Sequence, residues 1–265
     1  MPDKKYFMES EDETLRLILK TDVSKVRQQA IWAGLKSGMR VADLGCGPGI
    51  TTATLHEINL RNGETVGVDF SKKRIKYAIA NYNTQGIKFL CRDIRDQLED
   101  LGTFDFIWVR FVLEYYLKGS FDIVRNIYKI LKPGGILCLI DLDHNCLNHF
   151  GIPANLEKTI YKISDELQIK ANFDPYVGRK LYSFLYDMGF KNIKVDIRAH
   201  HNIYGKLKDR DEFNFLKKIE VAPQKINFQF EEYNNYNEFI EETRNAFRDE
   251  RRFTYTPLIM CRGEK

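Results

Sequence analysis

Between positions 41 and 49 the chain reads Val41-Ala42-Asp43-Leu44-Gly45-Cys46-Gly47-Pro48-Gly49: a short apolar run, an acid, and three glycines at alternate positions. Glycines at that density let a ligand come close to the backbone, because no Cβ stands in the way. A strand that feeds such a turn and then a helix is the opening unit of a nucleotide-type binding fold. The spacing discriminates between ligands. A dinucleotide fingerprint has the order G-x-G-x-x-G, whereas here the third glycine comes one place early and Ile50 stands where it would be. Asp43 precedes the first glycine by two residues. A pyrophosphate seeks bare amides at a helix N-terminus. A carboxylate beside it would repel it, and a cationic ligand would tolerate that carboxylate.

The run from Asp43 to Gly49 resembles the glycine-rich motif of class I S-adenosylmethionine-dependent methyltransferases. The resemblance implies a site for S-adenosyl-L-methionine, and for its product S-adenosyl-L-homocysteine, that includes Asp43, Gly45, Gly47 and Gly49. It implies further that Asp69, about 20 residues past the glycines at the end of the second strand, takes both ribose hydroxyls in charge-assisted bonds. Phe70 beside it would pack on the adenine. Asp93, in Cys91-Arg92-Asp93-Ile94 after the third strand, would accept from the exocyclic amine while the Ile94 N–H reaches a ring nitrogen. The plainer readings are an acid at a helix start ahead of Ser71, favoured by the helix dipole, for Asp69, and an ordinary turn acid for Asp93.

The fourth strand ends in Trp108-Val109-Arg110-Phe111-Val112-Leu113-Glu114-Tyr115. Methyltransferases of exocyclic or side-chain amides usually carry Asn/Asp-Pro-Pro-aromatic there. This segment is similar instead to that of small-molecule methyltransferases, many of which place a His where Glu114 stands. The backbone around Arg110 would then face the methionine part of the cofactor. Lys132-Pro133-Gly134-Gly135 and Val177-Gly178-Arg179-Lys180-Leu181 also look like that group, and the resemblance covers Met39 to Ala199. Methyl transfer from a sulfonium is an in-line displacement, so positioning can supply much of the catalysis, and a base is needed only for an acceptor protonated at neutral pH. Titratable groups after strands four, five and six are Glu114 and Tyr115, Asp143 and His144, and His200 and His201. Glu114 and His144 are the candidates for catalysis, although each is more often a structural or solvated residue. A nicotinamide oxidoreductase, a cofactor-binding protein without turnover and an RNA methyltransferase are the alternatives. The early glycine and Asp43 oppose the first. The third lacks a basic stripe and the Pro-Pro motif.

The elements that must position these residues follow from periodicity. Ser10-Glu11-Asp12-Glu13 is a capping-box pattern before Leu15, Ile18 and Leu19, so a helix should start there. A second covers Ser24 to Ala33. Helix Pro48–Ile58, strand Thr65–Val68, helix Ser71–Asn83, strand Ile87–Cys91, strand Phe104–Val109, helix Phe121–Ile130 and strand Ile136–Leu142 then alternate. That predicts a parallel sheet covered on both faces. Helices Asn155–Lys170 and Gly178–Met188, strand Ile193–Ala199, helical stretches Asp211–Glu220 and Asn235–Asp249, and strand Phe253–Cys261 complete the chain. The expected architecture is α/β: a Rossmann-like class I methyltransferase sheet, mostly parallel with the last strand antiparallel, helices on both faces, and a helical cap from two insertions. Residues 1–38 would pack on the core and cofactor site. Residues 39–204 with 253–265 would form the core, and 205–252 with 145–176 the cap over the active site. The insertions are rich in aromatics, including Phe173, Tyr176, Phe213, Phe215, Phe228, Phe230, Tyr233, Tyr236, Phe239 and Phe247. They serve either as an apolar lid over an apolar or aromatic acceptor or as the core of the cap itself.

Composition sets the outer bounds. Forty-one lysines and arginines against 37 acids give a formal charge of +4, which calls for no nucleic-acid partner. Cys46, Cys91, Cys138, Cys146 and Cys261 are odd in number and form no C-x-x-C pair, so reduced thiols, a cytoplasmic location and no metal site are expected. No apolar run approaches the roughly 18 residues of a membrane span. The expected partner is a small-molecule methyl acceptor.

Overall fold

The computed structural model, which describes Tyr6, Met8, residues 13–60 and residues 63–265, carries this alternation through. The capping-box residues Ser10, Glu11 and Asp12 lie outside the described residues, and helix α1 spans Glu13–Lys20. Helix α2 (Val23–Ala33) starts where the Asp22 carboxylate accepts the N–H groups of Ser24 and Lys25. It stops at Gly34, whose φ of 98° is the left-handed turn that ends helices. The core continues as β1 (Arg40–Leu44), α3 (Ile50–Ile58), β2 (Glu64–Asp69), α4 (Lys72–Tyr82), β3 (Ile87–Cys91), β4 (Phe104–Arg110), α5 (Ser120–Lys129) and β5 (Leu131–Leu142). Then follow β6 (Asn148–Phe150), α6 (Ala154–Ala171), α7 (Leu181–Asp187), β7 (Lys191–Tyr204), α8 (Asp209–Lys225), α9 (Tyr236–Arg248) and β8 (Phe253–Glu264).

The described strands form one sheet in the order β3-β2-β1-β4-β5-β8, with β7 on the far side of β8 and β6 along its first residues. Strands β1 to β5 pair in parallel, and β8 runs antiparallel to β5, β6 and β7. This is the expected α/β architecture. One face buries Leu44, Val66, Ile107 and Val109 under Ile123 and Ile127 of α5 and Leu181 and Leu185 of α7. The other buries Val41, Phe106 and Trp108 under Val26 and Ala30 of α2 and Leu55 of α3. Apolar contact on both faces is why these strands read as near-continuous hydrophobic runs.

Helices α6, α8 and α9 share a second core, with Leu156, Ile160, Ile163, Phe215, Ile219, Phe239 and Phe247 buried together. Most of the insertion aromatics serve this core. Phe215 and Phe247 stack with centroids 4.0 Å apart, and Phe230 lies 5.1 Å from Phe239.

Some boundaries differ from expectation. Strand β7 runs to Tyr204, well past Ala199, because its pairing with β8 extends to Tyr204↔Phe253. A register shift between His200 and Ile203, with His201 at φ 47°, bulges it near its end. The helix expected over 178–188 opens as a 3-10 turn, Val177–Lys180. A Cβ at Gly178 would stand 2.9 Å from the Leu142 carbonyl oxygen, so this turn lies directly on β5. Strand β6 was not foreseen, being three residues long within a loop-rich stretch. Helix α8 continues through Pro223 to Lys225 rather than ending near Glu220.

Candidate functional site

An open cleft of about 820 Å³ lies at the C-terminal ends of β1, β2, β3 and β4, the crevice where open α/β sheets bind ligands. Gly45, Gly47, Asp69, Phe70, Asp93, Ile94 and Arg110 all line it. The glycine loop is tied down by the neighbouring strand: the Gly45 and Cys46 amides donate to the Val68 carbonyl at 2.7 and 3.0 Å. Gly45, at φ +84°, has no room for a side chain, since a Cβ would stand 2.3 Å from Val112 Cγ2.

Asp69 is the organising acid. It is buried, and its Oδ2 accepts the Gly47 N–H at 2.9 Å. Its Oδ1 accepts the Ser71 N–H at 2.9 Å and the Arg74 Nε–H at 3.1 Å. The Arg74 guanidinium lies 5.0 Å from the Phe70 ring and 5.3 Å from that of Tyr6. Tyr6 donates to Glu13 at 2.8 Å, and its ring packs 4.5 Å from Tyr115. Across the cleft the Asp93 carboxylate accepts from Arg95 Nε at 2.9 Å.

Two of the motif residues expected at the cofactor do not line the cleft. Asp43 is buried behind the loop and accepts from Thr52 Oγ1 at 2.7 Å. Burial pushes its carboxyl up to about 7 even though Thr52 and the Arg110 charge pull it down. It therefore holds the first turn of α3, where sequence reasoning placed it against the cofactor. Gly49 caps α3 at φ +90°, and a Cβ there would stand 2.8 Å from Ala78 Cβ. Its smallness serves the packing of α3 on α4 and β3. Of the two catalytic candidates, Glu114 is buried and accepts from Asn145 Nδ2 at 2.6 Å. His144, at φ 49°, sets its ring 5.1 Å from Tyr176. Neither side chain lines the cleft.

Arg110, His200 and His201, named singly from the sequence, gather with Lys20, which was not, in a basic set around Phe111, a non-glycine residue at φ 58° just past β4. The Arg110 guanidinium lies 4.1 Å from the Phe111 ring centroid, and Lys20 Nζ 4.9 Å from it. His200 approaches within 5.1 Å, with His201 a further 4.1 Å on. Burial lowers the Arg110 guanidinium to about 10 and holds Lys20 and both imidazoles well below their ordinary values, with the neighbouring cations adding to the effect on Lys20 and the imidazoles. Tyr6, Leu17 and Thr21 also line the cleft. Residues 1–38 were expected to pack on the cofactor site, but no spacing signal singled these three out.

A second cavity, of about 510 Å³, lies within the cap among α6, α8 and the loop before β6. Tyr115 lines both cavities. At one side Lys218 Nζ donates to Asn145 Oδ1 at 3.3 Å, and the Asn145 amide in turn donates to Glu114.

The cleft offers a carboxylate beside bare loop amides, an exposed aromatic, a second acid and cations at its inner end. These suit a ligand with a hydroxylated ring, a flat heterocycle and a zwitterionic tail, so the residues present fit S-adenosylmethionine. Among the described residues no group of His, Cys, Asp and Glu is placed to hold a metal ion, and no helix is long and apolar enough to cross a membrane.

Comparison with known proteins agrees with this geometry. Residues 42–139 match the family model described as a methyltransferase domain. The demethylmenaquinone methyltransferase of Lactococcus lactis is 29% identical over 149 residues, which cover 54% of this chain and 53% of the relative. The chain thus spans about half the length of this relative. The phosphoethanolamine N-methyltransferase 2 of Haemonchus contortus, solved with S-adenosylhomocysteine, superposes with a TM-score of 0.61 at 14% identity, over 100% of this chain and 60% of that one. The cyclopropane synthase of Mycobacterium tuberculosis gives 0.59 at 19% identity, over 98% and 88%. At such identities the likeness is one of fold.

Proposed function

Through its core domain the chain belongs to the class I S-adenosylmethionine-dependent methyltransferases, and from that premise we propose that it transfers the methyl group of S-adenosyl-L-methionine to a small-molecule acceptor. The observation that carries the reading is the joint placement of the Gly45–Gly47 loop and the Asp69 carboxylate on one cleft. In this reading Asp69 takes the ribose hydroxyls, Phe70 and Ile94 flank the adenine, Asp93 accepts its amine, and Arg110 faces the methionine end. Asp43 and Gly49 act from behind, by fixing α3. Bound there, the cofactor supplies a methyl group on a positively charged sulfur, open to in-line attack.

The chain's own residues then contribute by placement. Val112 fixes the glycine loop by filling the space a Cβ at Gly45 would need. Tyr115, which lines both cavities, marks where acceptor and methyl meet. Glu114 acts through Asn145 as a positioning residue, and His144 has no part in the chemistry. The cap of residues 145–176 and 205–252 covers the strand ends and excludes water. Titration calorimetry with S-adenosylhomocysteine and with NAD tests the reading. Micromolar or tighter binding of the former and none of the latter is expected, and the reverse order would refute it.

A further inference from the structure

The cap cavity has a chemistry of its own. Its walls include Leu147, Ile160, Ile163, Leu167, Phe173 and Ile219, which make it a predominantly apolar, partly open chamber. Tyr115, Asn145, Cys146, Ser164 and Lys218 interrupt those walls, and two of them matter most. Ser164 is 6% exposed, and its hydroxyl has no hydrogen-bond partner among the described residues. A buried hydroxyl left unpaired is costly. The second is Lys218. Among the described residues it has no carboxylate partner, only Asn145 Oδ1 at 3.3 Å and the Cys146 sulfur at 3.7 Å.

The charge beyond this lysine is of the same sign. Lys20 and Arg110 lie around Phe111 with His200 and His201 behind it. Among the described residues the acids nearby are already engaged: beside Arg110, Asp43 accepts from Thr52 and Asp141 from the Glu114 and Leu142 amides. Glu13 pairs with Arg16 at 2.7 Å, and Glu114 accepts from Asn145, which separates it from Lys218. An apolar chamber whose polar end is cationic complements a molecule with an apolar body and one negative charge.

We propose that the methyl acceptor is an amphipathic monoanion of the carboxylate type, its apolar body in the cap cavity against α6 and α8 and its anionic group on the Lys218 ammonium, beside Tyr115. This rests on the methyltransferase reading and adds the substrate class. An ammonium–carboxylate bond at a partly desolvated site is stronger than its neutral counterpart, and the walls supply the remaining affinity through burial of methylenes. The charged head fixes which atoms of the acceptor can reach the methyl group at the Tyr115 boundary.

The test uses the full chain saturated with S-adenosylhomocysteine, with decanoate and its neutral counterpart decanamide as calorimetric probes. Decanoate should bind at least about ten-fold more tightly than decanamide, the size expected of one charge-assisted bond. Lys218→Met, which keeps the stem of the side chain, should erase that difference and leave decanamide within about two-fold. Ser164→Leu, which removes the unpaired hydroxyl and fills part of the cavity, should keep or raise Tm and weaken decanoate about five-fold or more. Equal affinity for the two probes, no decanoate binding near 1 mM (about −4 kcal/mol), or an unchanged decanoate affinity in Lys218→Met would each overturn the proposal while leaving cofactor binding intact. Failure of S-adenosylhomocysteine to bind at all would instead strike the underlying reading.

Discussion

Replacing Asp69 separates its proposed contact with the ribose from its hold on the loop. Among the described residues the carboxylate accepts hydrogen bonds from three donors, the Gly47 amide, the Ser71 amide and Arg74. Asp69→Ala leaves all three donors unpaired whether or not ligand is present, at about 1–3 kcal/mol for each group that stays buried. That loss appears in the Tm of the ligand-free protein. The ribose hydroxyls contribute only in the complex. Two charge-assisted bonds lost there are about 2–4 kcal/mol, or roughly 30- to 1,000-fold in the Kd for S-adenosylhomocysteine. Asp69→Asn sharpens the distinction. With its carbonyl oxygen toward Ser71 and Arg74, its amide nitrogen faces the Gly47 N–H, donor against donor. It should therefore disturb the loop while sparing the helix start, and lose less affinity than alanine. Titration calorimetry gives the Kd values, and scanning calorimetry without ligand gives the stability term. A folded Asp69→Ala protein whose Kd stays within about two-fold of wild type would refute the ribose assignment.

Three further outcomes follow from named contacts. Gly45→Ala combines a left-handed φ of +84° with a Cβ 2.3 Å from Val112 Cγ2. It should cost about 2–5 kcal/mol of stability from backbone strain and overpacking together, and adding Val112→Ala should recover only the packing part in thermal denaturation. His149 is lowered to about 4 by burial, against its bond to the Cys146 carbonyl. Its imidazole stays neutral in the folded state below the ordinary value of about 6.5, so the unfolded chain binds the extra proton. Stability should fall as pH drops from about 6.5 to about 4 and level off below, and urea midpoints for wild type and His149→Gln should diverge in that window; parallel curves would remove the assignment. Hydrogen exchange of residues 145–176 and 205–252 should slow on S-adenosylhomocysteine binding more than that of α5, and protection confined to residues 45–93 would make the cap a structural appendage.

That these residues share one cleft was legible because they sit at the ends of strands that follow one another in sequence. Gly45 and Gly47 follow β1, Asp69 and Phe70 stand at the end of β2, Asp93 and Ile94 follow β3 and Arg110 ends β4, strands that the sheet sets side by side in the order β3-β2-β1-β4. Membership of a motif does not say which way a side chain points, which is why Asp43 and Gly49 were placed at the ligand and proved to brace α3. The basic set was illegible for a different reason. Lys20 in α1, Arg110 and Phe111 at the end of β4, and His200 and His201 in β7 come from three distant elements, and only tertiary packing joins them. The length of β7 escaped because this edge strand is mostly exposed and carries no apolar alternation that would mark its end. The insertion aromatics fitted a lid or a core equally well by composition. Their ring-on-ring contacts show most of them spent on the core.

Strand β8 follows every other strand in sequence yet lies inside the sheet, between β5 and β7. This has a kinetic consequence. During synthesis β1 to β5 can pair with one another as they emerge, but β7 has no sheet partner until residues 253–264 arrive. The same strand anchors β6, which precedes α6. The cleft and the cap therefore mature at different moments, the first through parallel pairings available early, the second only after a distant strand inserts between two waiting edges. Such non-local closure is slow, and until it occurs the β5 edge, from Ile136 to Leu142, stands open as a template for pairing between nascent chains.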